Sequence, residues 1–234
     1  MAKKELPDKK LIKDSPLSRE PSGASLDLSG KISGLSSKAF GIIKFILGLV
    51  LLPFVYSSVV SFLNETSLID RHFQAMFWNG TVCFLIIYLF IWEPLAVYNY
   101  GHKLLETVFS FFKPMVNVAP FLLPIYTLLI FIIYGFLSLM IKSSWLIEYT
   151  LFLAGFSAIL HLVFSAKAIR TKKGDFLKGN YIFGFSFILI LNLALLALGL
   201  SLIFKEYSFV NFCNVSFGIA GSIFYAVFKQ LFLF

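Results

Sequence analysis

The sequence predicts an all-α integral membrane protein with about six transmembrane helices, and three observations carry that reading. Of the 234 residues, 59% are hydrophobic and only 14% charged, against about 25% charged in an ordinary soluble domain. Mean hydropathy is +0.86, and the apolar residues arrive in blocks of bilayer length. The charges fall in an N-terminal tail and in the connectors between those blocks. A secreted disulfide scaffold, a nucleic-acid-binding domain and a cytosolic enzyme are thereby excluded. A net charge of +8 on a soluble domain would suggest nucleic acid. Here it reads as a topology signal with contact to anionic lipid.

Residues 1–38 differ from the rest. Lys3, Lys4, Lys9, Lys10, Lys13 and Arg19 alternate with Glu5, Asp8, Asp14 and Glu20, with Ser, Gly and Pro between them. Nothing there repays ordering, so a disordered basic cytoplasmic tail is expected. It is not a cleavable signal peptide, which would place its apolar run soon after a short basic start. Leu28, Ile32 and Leu35 recur at helical spacing and suit the membrane surface. The polytopic domain then covers 39–234.

A helical span needs about 20 mostly apolar residues, and six stretches qualify: 40–63, 74–97, 115–141, 145–166, 180–204 and 209–231. A barrel would alternate apolar and polar residues, whereas Ile182–Phe204 is almost continuously apolar. Pro53 should kink the first span. Pro94 should kink or interrupt the second, leaving 98–112 as an amphipathic or re-entrant helix. Pro114, Pro120 and Pro124 cluster at the start of the third.

Seventeen of the twenty Lys and Arg fall on one side of the six crossings, including a basic loop of Lys167, Arg170, Lys172, Lys173 and Lys178; only Arg71, Lys142 and Lys205 fall on the other. The positive-inside rule therefore puts both termini in the cytoplasm. Cys83 and Cys213 sit inside apolar blocks and read as small buried hydrophobes. Three glycosylation-like triplets occur, and only the one at Asn64 falls clear of a span.

Ionisable residues at membrane depth are costly and mark candidate sites. Asn99, His102, Lys103, Glu106 and Ser110 lie at helical offsets along one stripe. His102 and Glu106, four apart, can face one ion or water; alternatively the stripe simply faces water from an interfacial helix. Glu93 and Asn192 are further polar residues within apolar blocks, and His161 lies inside the fourth. His161 suits a metal ligand or proton carrier, or equally a single hydrogen bond to a neighbouring carbonyl. Asn192 suits a hydrogen bond across a helix pair. Glu148 lies close enough to the surface to be solvated. Ser216/Ala220 and Gly218/Ser222 have the small-xxx-small spacing of close helix packing.

Several stretches together resemble a known family. Trp92-Glu93-Pro94-Leu95 leads into Tyr100-Gly101-His102-Lys103-Leu104-Leu105-Glu106. Ala119-Pro120-Phe121-Leu122-Leu123-Pro124-Ile125-Tyr126-Thr127 follows, then Gly155–Phe164 with His161, Lys173-Gly174-Asp175, and Gly179–Asn192. Over roughly residues 90–200 the order and spacing are similar to site-2-protease-like membrane zinc metallopeptidases, in a poorly characterised bacterial branch. The resemblance implies a bacterial inner (cytoplasmic) membrane location and a zinc site. In such a site two His at i and i+4 bind the metal and Glu at i+1 activates water. Here His102 matches the first ligand, but Lys103 stands at the general-base position and Glu106 at the second ligand position. The resemblance loosely offers His161 or Asp175 as a third ligand. The short stretch from Phe112 to Val116 leaves no room for a substrate-presenting hairpin.

The expected function is therefore that of a non-catalytic membrane scaffold or binding partner: a pseudo-protease in which a buried stripe survives and Lys103 can pair with Glu106. No cofactor is expected; zinc enters only if an altered set of His102, Glu106 and His161 forms an active metallopeptidase. A transporter or complex subunit, with Glu93, His102, Glu106 and His161 lining a path, is the third reading. The lipid bilayer and another membrane protein are the expected partners, and nucleic acid is not.

Overall fold

A computed structural model describes residues 23–111, 118–171 and 181–232, with side chains from Gly41 onward, and they are all-helical. The helices are α1 (Gly23–Thr66), α2 (Arg71–Ile86), α3 (Leu95–Val108), α4 (Ala119–Leu122), α5 (Ile125–Ser138), α6 (Ser144–Thr171), α7 (Tyr181–Ile203) and α8 (Phe209–Phe232). Met1–Phe40 and Gly41–Phe234 form separate units. The first contributes helical backbone from Gly23, inside the stretch expected to be disordered. Five helices are long and apolar enough to cross a membrane: Gly41–Thr66, Arg71–Ile91, Ser144–Arg170, Tyr181–Ile203 and Phe209–Phe232. Their apolar outer faces imply contact with a lipid bilayer.

Several predicted boundaries are corrected, and proline explains most of them. The third stretch, 115–141, is not one helix. α4 lasts four residues, the chain extends at Leu123-Pro124, and α5 follows for 14 residues, about 21 Å at 1.5 Å per residue. Pro120 falls in the first turn of α4 and Pro124 precedes α5, where a fixed φ and a missing N–H favour a helix start and forbid continuation. The second stretch ends before Pro94. α2 closes in a π-helical turn, Ile87–Ile91, and Pro94 caps α3. Asp70 begins α2, its carboxylate accepting from the His72 N–H at 2.8 Å. Pro53, by contrast, lies inside α1. Lys167 and Arg170, expected in a loop, lie on the last turns of α6, which runs on to Thr171. Lys172, Lys173, Lys178 and Asp175 lie outside the described residues. Asn64 falls within α1, and the Thr66 hydroxyl of its triplet is buried, donating to the Phe62 carbonyl at 2.6 Å.

Residue pairings fix the helix directions. α2 and α6 run parallel: Gly80 meets Phe152, Phe84 meets Phe156, Tyr88 meets Phe164 and Glu93 meets Lys167. α4 and α5 run antiparallel to α6, pairing Phe121 with His161 and Thr127 with Ser157. α7 runs alongside α5, with Leu122 at Asn192 and Phe131 at Gly199. α1 runs parallel to α7 from Gly48 at Phe183 onward, and antiparallel to α8, with Phe54 against Phe217 and Phe224. Thus α1, α5 and α7 point one way and α2, α6 and α8 the other. One apolar cluster around Phe62, Phe77, Leu196, Leu200 and Phe212 fills one end of this bundle. Two smaller ones, around Phe84, Tyr98 and Phe164 and around Phe121, Ile169 and Ile188, fill the other.

Candidate functional site

The polar residues singled out by sequence gather at that second end, where α3, α4 and α6 meet. α3 buries the face bearing Tyr98, Gly101 and Leu105. Gly101 is required there: a Cβ would lie 2.8 Å from the Tyr126 ring. Tyr126 in turn donates its hydroxyl to the Val97 carbonyl. This docking sets His102 beside Phe121, with ring centroids 4.8 Å apart. His102 and Glu106 do face one another, Nε2 to Oε1 3.4 Å. Lys103 is exposed on the outer side, and among the described residues it makes no ion pair with Glu106. Neither is the stripe buried, since the Glu106 side chain is 45% exposed. Glu106 turns to His102, one helical turn back on the same face.

His161 is buried on α6. Its Nε2 lies 3.1 Å from the Phe121 carbonyl and 3.3 Å from Ser165 Oγ. Ser165 Oγ lies 3.2 Å from the Tyr98 hydroxyl, which closes a chain from α4 through α6 to α3. A carbonyl only accepts, so Nε2 of His161 carries the proton. Asn192, fully buried on α7, donates Nδ2 to the Ile188 carbonyl of its own turn at 2.8 Å and reaches the Leu122 carbonyl at 3.5 Å. Phe121 and Leu122 are the last residues of α4, so Pro124 and the extended Leu123 deprive their carbonyls of helical donors. Two buried polar residues, His161 and Asn192, thus reach carbonyls of one broken helix.

Glu93 lies at the other edge, in an ion pair with Lys167 that joins the end of α2 to α6. A cleft of about 280 Å³ opens between these elements, lined among others by Tyr98, Asn99, His102, Phe164 and Lys167. Tyr98 and Ser165 were missed in the sequence, although each lies four residues from a flagged histidine, Tyr98 before His102 and Ser165 after His161. A third missed residue is Glu65 at the end of α1. It is buried, and its carboxylate accepts the Ser208 N–H at 3.1 Å and the Asn211 side-chain amide at the start of α8. Glu148 pairs with His72 at the opposite end of the bundle, 3.4 Å apart.

Of the metal ligands that the family resemblance implies, His102, Glu106 and His161 are described and Asp175 is not. Among the described residues no three His, Cys, Asp or Glu side chains converge to hold a metal ion. The Nε2 of His161 donates to the Phe121 carbonyl, which leaves the lone pair of that ring on Nδ1. Comparison with protein-family models, with curated proteins and with solved structures finds no match.

Proposed function

We propose that this chain is a non-catalytic multi-pass membrane protein, a site-2-protease-like scaffold without peptidase chemistry, which binds another membrane protein through its spans or its basic tail. The observation that carries the reading is the use of His161: its Nε2 proton goes to the carbonyl that the break after α4 sets free. The broken helix is tolerated at membrane depth because neighbouring helices re-satisfy its backbone. Lys103, exposed beside His102, takes no proton from water and repels a divalent cation. The bacterial inner membrane is the location that goes with this reading.

The helix directions support six crossings with both termini in the cytoplasm. α4 and α5 together run antiparallel to α6 from Phe121–His161 past Thr127–Ser157. α5 thereby acts as the second piece of a broken span, which restores the even count that the five long helices alone lack. The alternative reading, an altered metallopeptidase, draws on the 3.4 Å approach of His102 and Glu106.

Zinc content and cleavage of a transmembrane reporter by the purified full chain test the proposal. The expected result is no stoichiometric zinc and no cleavage above that of the His102→Ala variant. One zinc per chain, with proteolysis abolished by that substitution, overturns it.

A further inference from the structure

The cleft between α3 and α6 continues over the outer face of α3. A second depression of about 490 Å³, lined by Ala96, Asn99, Tyr100, His102 and Lys103, shares Asn99 and His102 with the first. The two form one groove. Its inner wall is apolar, from Leu95, Phe121 and Phe164, and its floor carries the Asn99 amide and the His102 ring. Its rims are cationic: Lys103 on α3, and Lys167 on α6 with Arg170 one turn further along, all three exposed. The facing carboxylates are Glu93, which pairs with Lys167, and Glu106, which faces His102. Among the residues that line the groove itself, Lys103 and Lys167 are the cations and there is no carboxylate.

The depth of the groove selects the ligand. Lys167 and Glu93 mark the level at which α2 ends and the chain turns into α3, on the side that holds seventeen of the twenty basic residues. Just before that level, Leu89, Phe90, Ile91 and Trp92 form an exposed apolar shelf, Phe90 being 81% exposed. Trp at such a position marks the boundary between hydrocarbon and headgroups. A ligand there meets an apolar shelf on one side and a polar floor between cations on the other.

We propose that the groove binds the phosphodiester headgroup of an anionic phospholipid of the cytoplasmic leaflet. Asn99 donates to the phosphate oxygens, Lys103 and Lys167 supply the countercharge, and the acyl chains lie on Leu89–Trp92. This inference rests on the membrane topology and not on the loss of peptidase chemistry, so the two fail separately.

The test is lipid titration of the purified full chain in a neutral detergent, read by native mass spectrometry and thermal shift. The probes are phosphatidylglycerol, phosphatidylcholine and free glycerol phosphate. One phosphatidylglycerol should bind saturably per chain, in preference to phosphatidylcholine. Lys103→Gln with Lys167→Gln should weaken it about thirty-fold, each lysine near the surface contributing roughly a factor of five. Because Lys167→Gln also breaks the pair with Glu93, Lys103→Gln with Asn99→Ala is the second variant. Both residues are exposed on α3, and a loss of at least about five-fold is expected. Lys142→Gln with Lys205→Gln, on the opposite side, should leave binding unchanged. The proposal is overturned by equal binding of the two lipids, by equal loss in the control, or by unchanged affinity in both groove variants. Displacement of the lipid by equimolar glycerol phosphate overturns the lipid as the source of the phosphate.

Discussion

Gly80 and Gly155 bring α2 and α6 into backbone contact, and substituting them should part the two helices. A Cβ on Gly80 would lie 1.9 Å from the Phe152 carbonyl oxygen, and one on Gly155 would lie 2.2 Å from that of Phe77. Real Cβ contacts begin at about 3.0 Å, so Gly80→Ala must drive the helices apart by about 1 Å. Neither oxygen can rotate away, because both belong to helical backbone. Lipid tails are as apolar as the side chains, so helix association here depends on close van der Waals contact. A gap of that size forfeits a quarter to a half of each contact it opens. Overpacking typically costs 1–3 kcal/mol, and about 2–3 kcal/mol is expected for each glycine. The double variant is the sharper test. One outward shift relieves both clashes, so Gly80→Ala with Gly155→Ala should cost little more than the worse single change. Gly218→Ala and Gly221→Ala serve as controls. Each Cβ there meets open space, so the change should be neutral or stabilising by up to about 1 kcal/mol through helix propensity. Reversible unfolding in mixed micelles, followed by far-UV circular dichroism against the mole fraction of SDS, measures all five variants. Fully additive losses, or a Gly80→Ala variant within about 0.5 kcal/mol of the parent, would refute the reasoning.

Two further outcomes follow from the junction of α1 and α8. Glu65→Ala strands the Ser208 and Asn211 donors and should cost about 2–4 kcal/mol in the same unfolding assay, whereas Glu65→Gln keeps an acceptor, loses the charge at the helix N-terminus and should cost about 1 kcal/mol; equal losses for the two variants would show that the neutral acceptor contributes nothing and the charge carries the whole effect. Beside it, burial chiefly, and the Glu65 carboxylate next, push the Tyr207 hydroxyl above its ordinary value. The folded state then holds this proton after the unfolded state has released its own near pH 10. Stability due to Tyr207 is therefore intact below about pH 10 and falls as pH rises beyond it. Melting temperatures in detergent from pH 8 to 12 should drop less steeply for Tyr207→Phe than for the parent, and parallel curves would count against the assignment.

Membrane residence and most of the spans were legible because bilayer thickness imposes a length on apolar blocks, and Ile182–Phe204 or Phe209–Phe232 cannot be read otherwise. The break inside 115–141 was not, because hydropathy ignores backbone geometry: Phe121-Leu122-Leu123-Pro124-Ile125 is apolar throughout, yet its proline ends one helix and starts another. The approach of His102 to Glu106 follows from four-residue spacing alone. The rest of the site depends on register between helices, which the sequence does not carry. Tyr98 meets Ser165 across 67 residues of chain because Gly101 lets α3 settle on Tyr126. Gly80 stood in the sequence only as the middle of a glycosylation-like triplet. Its contact with Phe152 exists because α2 and α6 run parallel.

The position of the break gives the intramembrane polar residues a common cause. An unbroken third span would leave the Phe121 and Leu122 carbonyls bonded within their own helix, and the buried Nε2 proton of His161 would lose its backbone acceptor. With the break, each residue has a carbonyl to serve, His161 from α6 and Asn192 from α7. The same break frees α4 to lie across the end of α3, which is how His102 comes to face Phe121 at the floor of the cleft. A catalytic reading asks the histidines to be available to a ligand. In this bundle the deeper one is spent on backbone, while His102 opens with Asn99 and Lys103 toward the membrane surface.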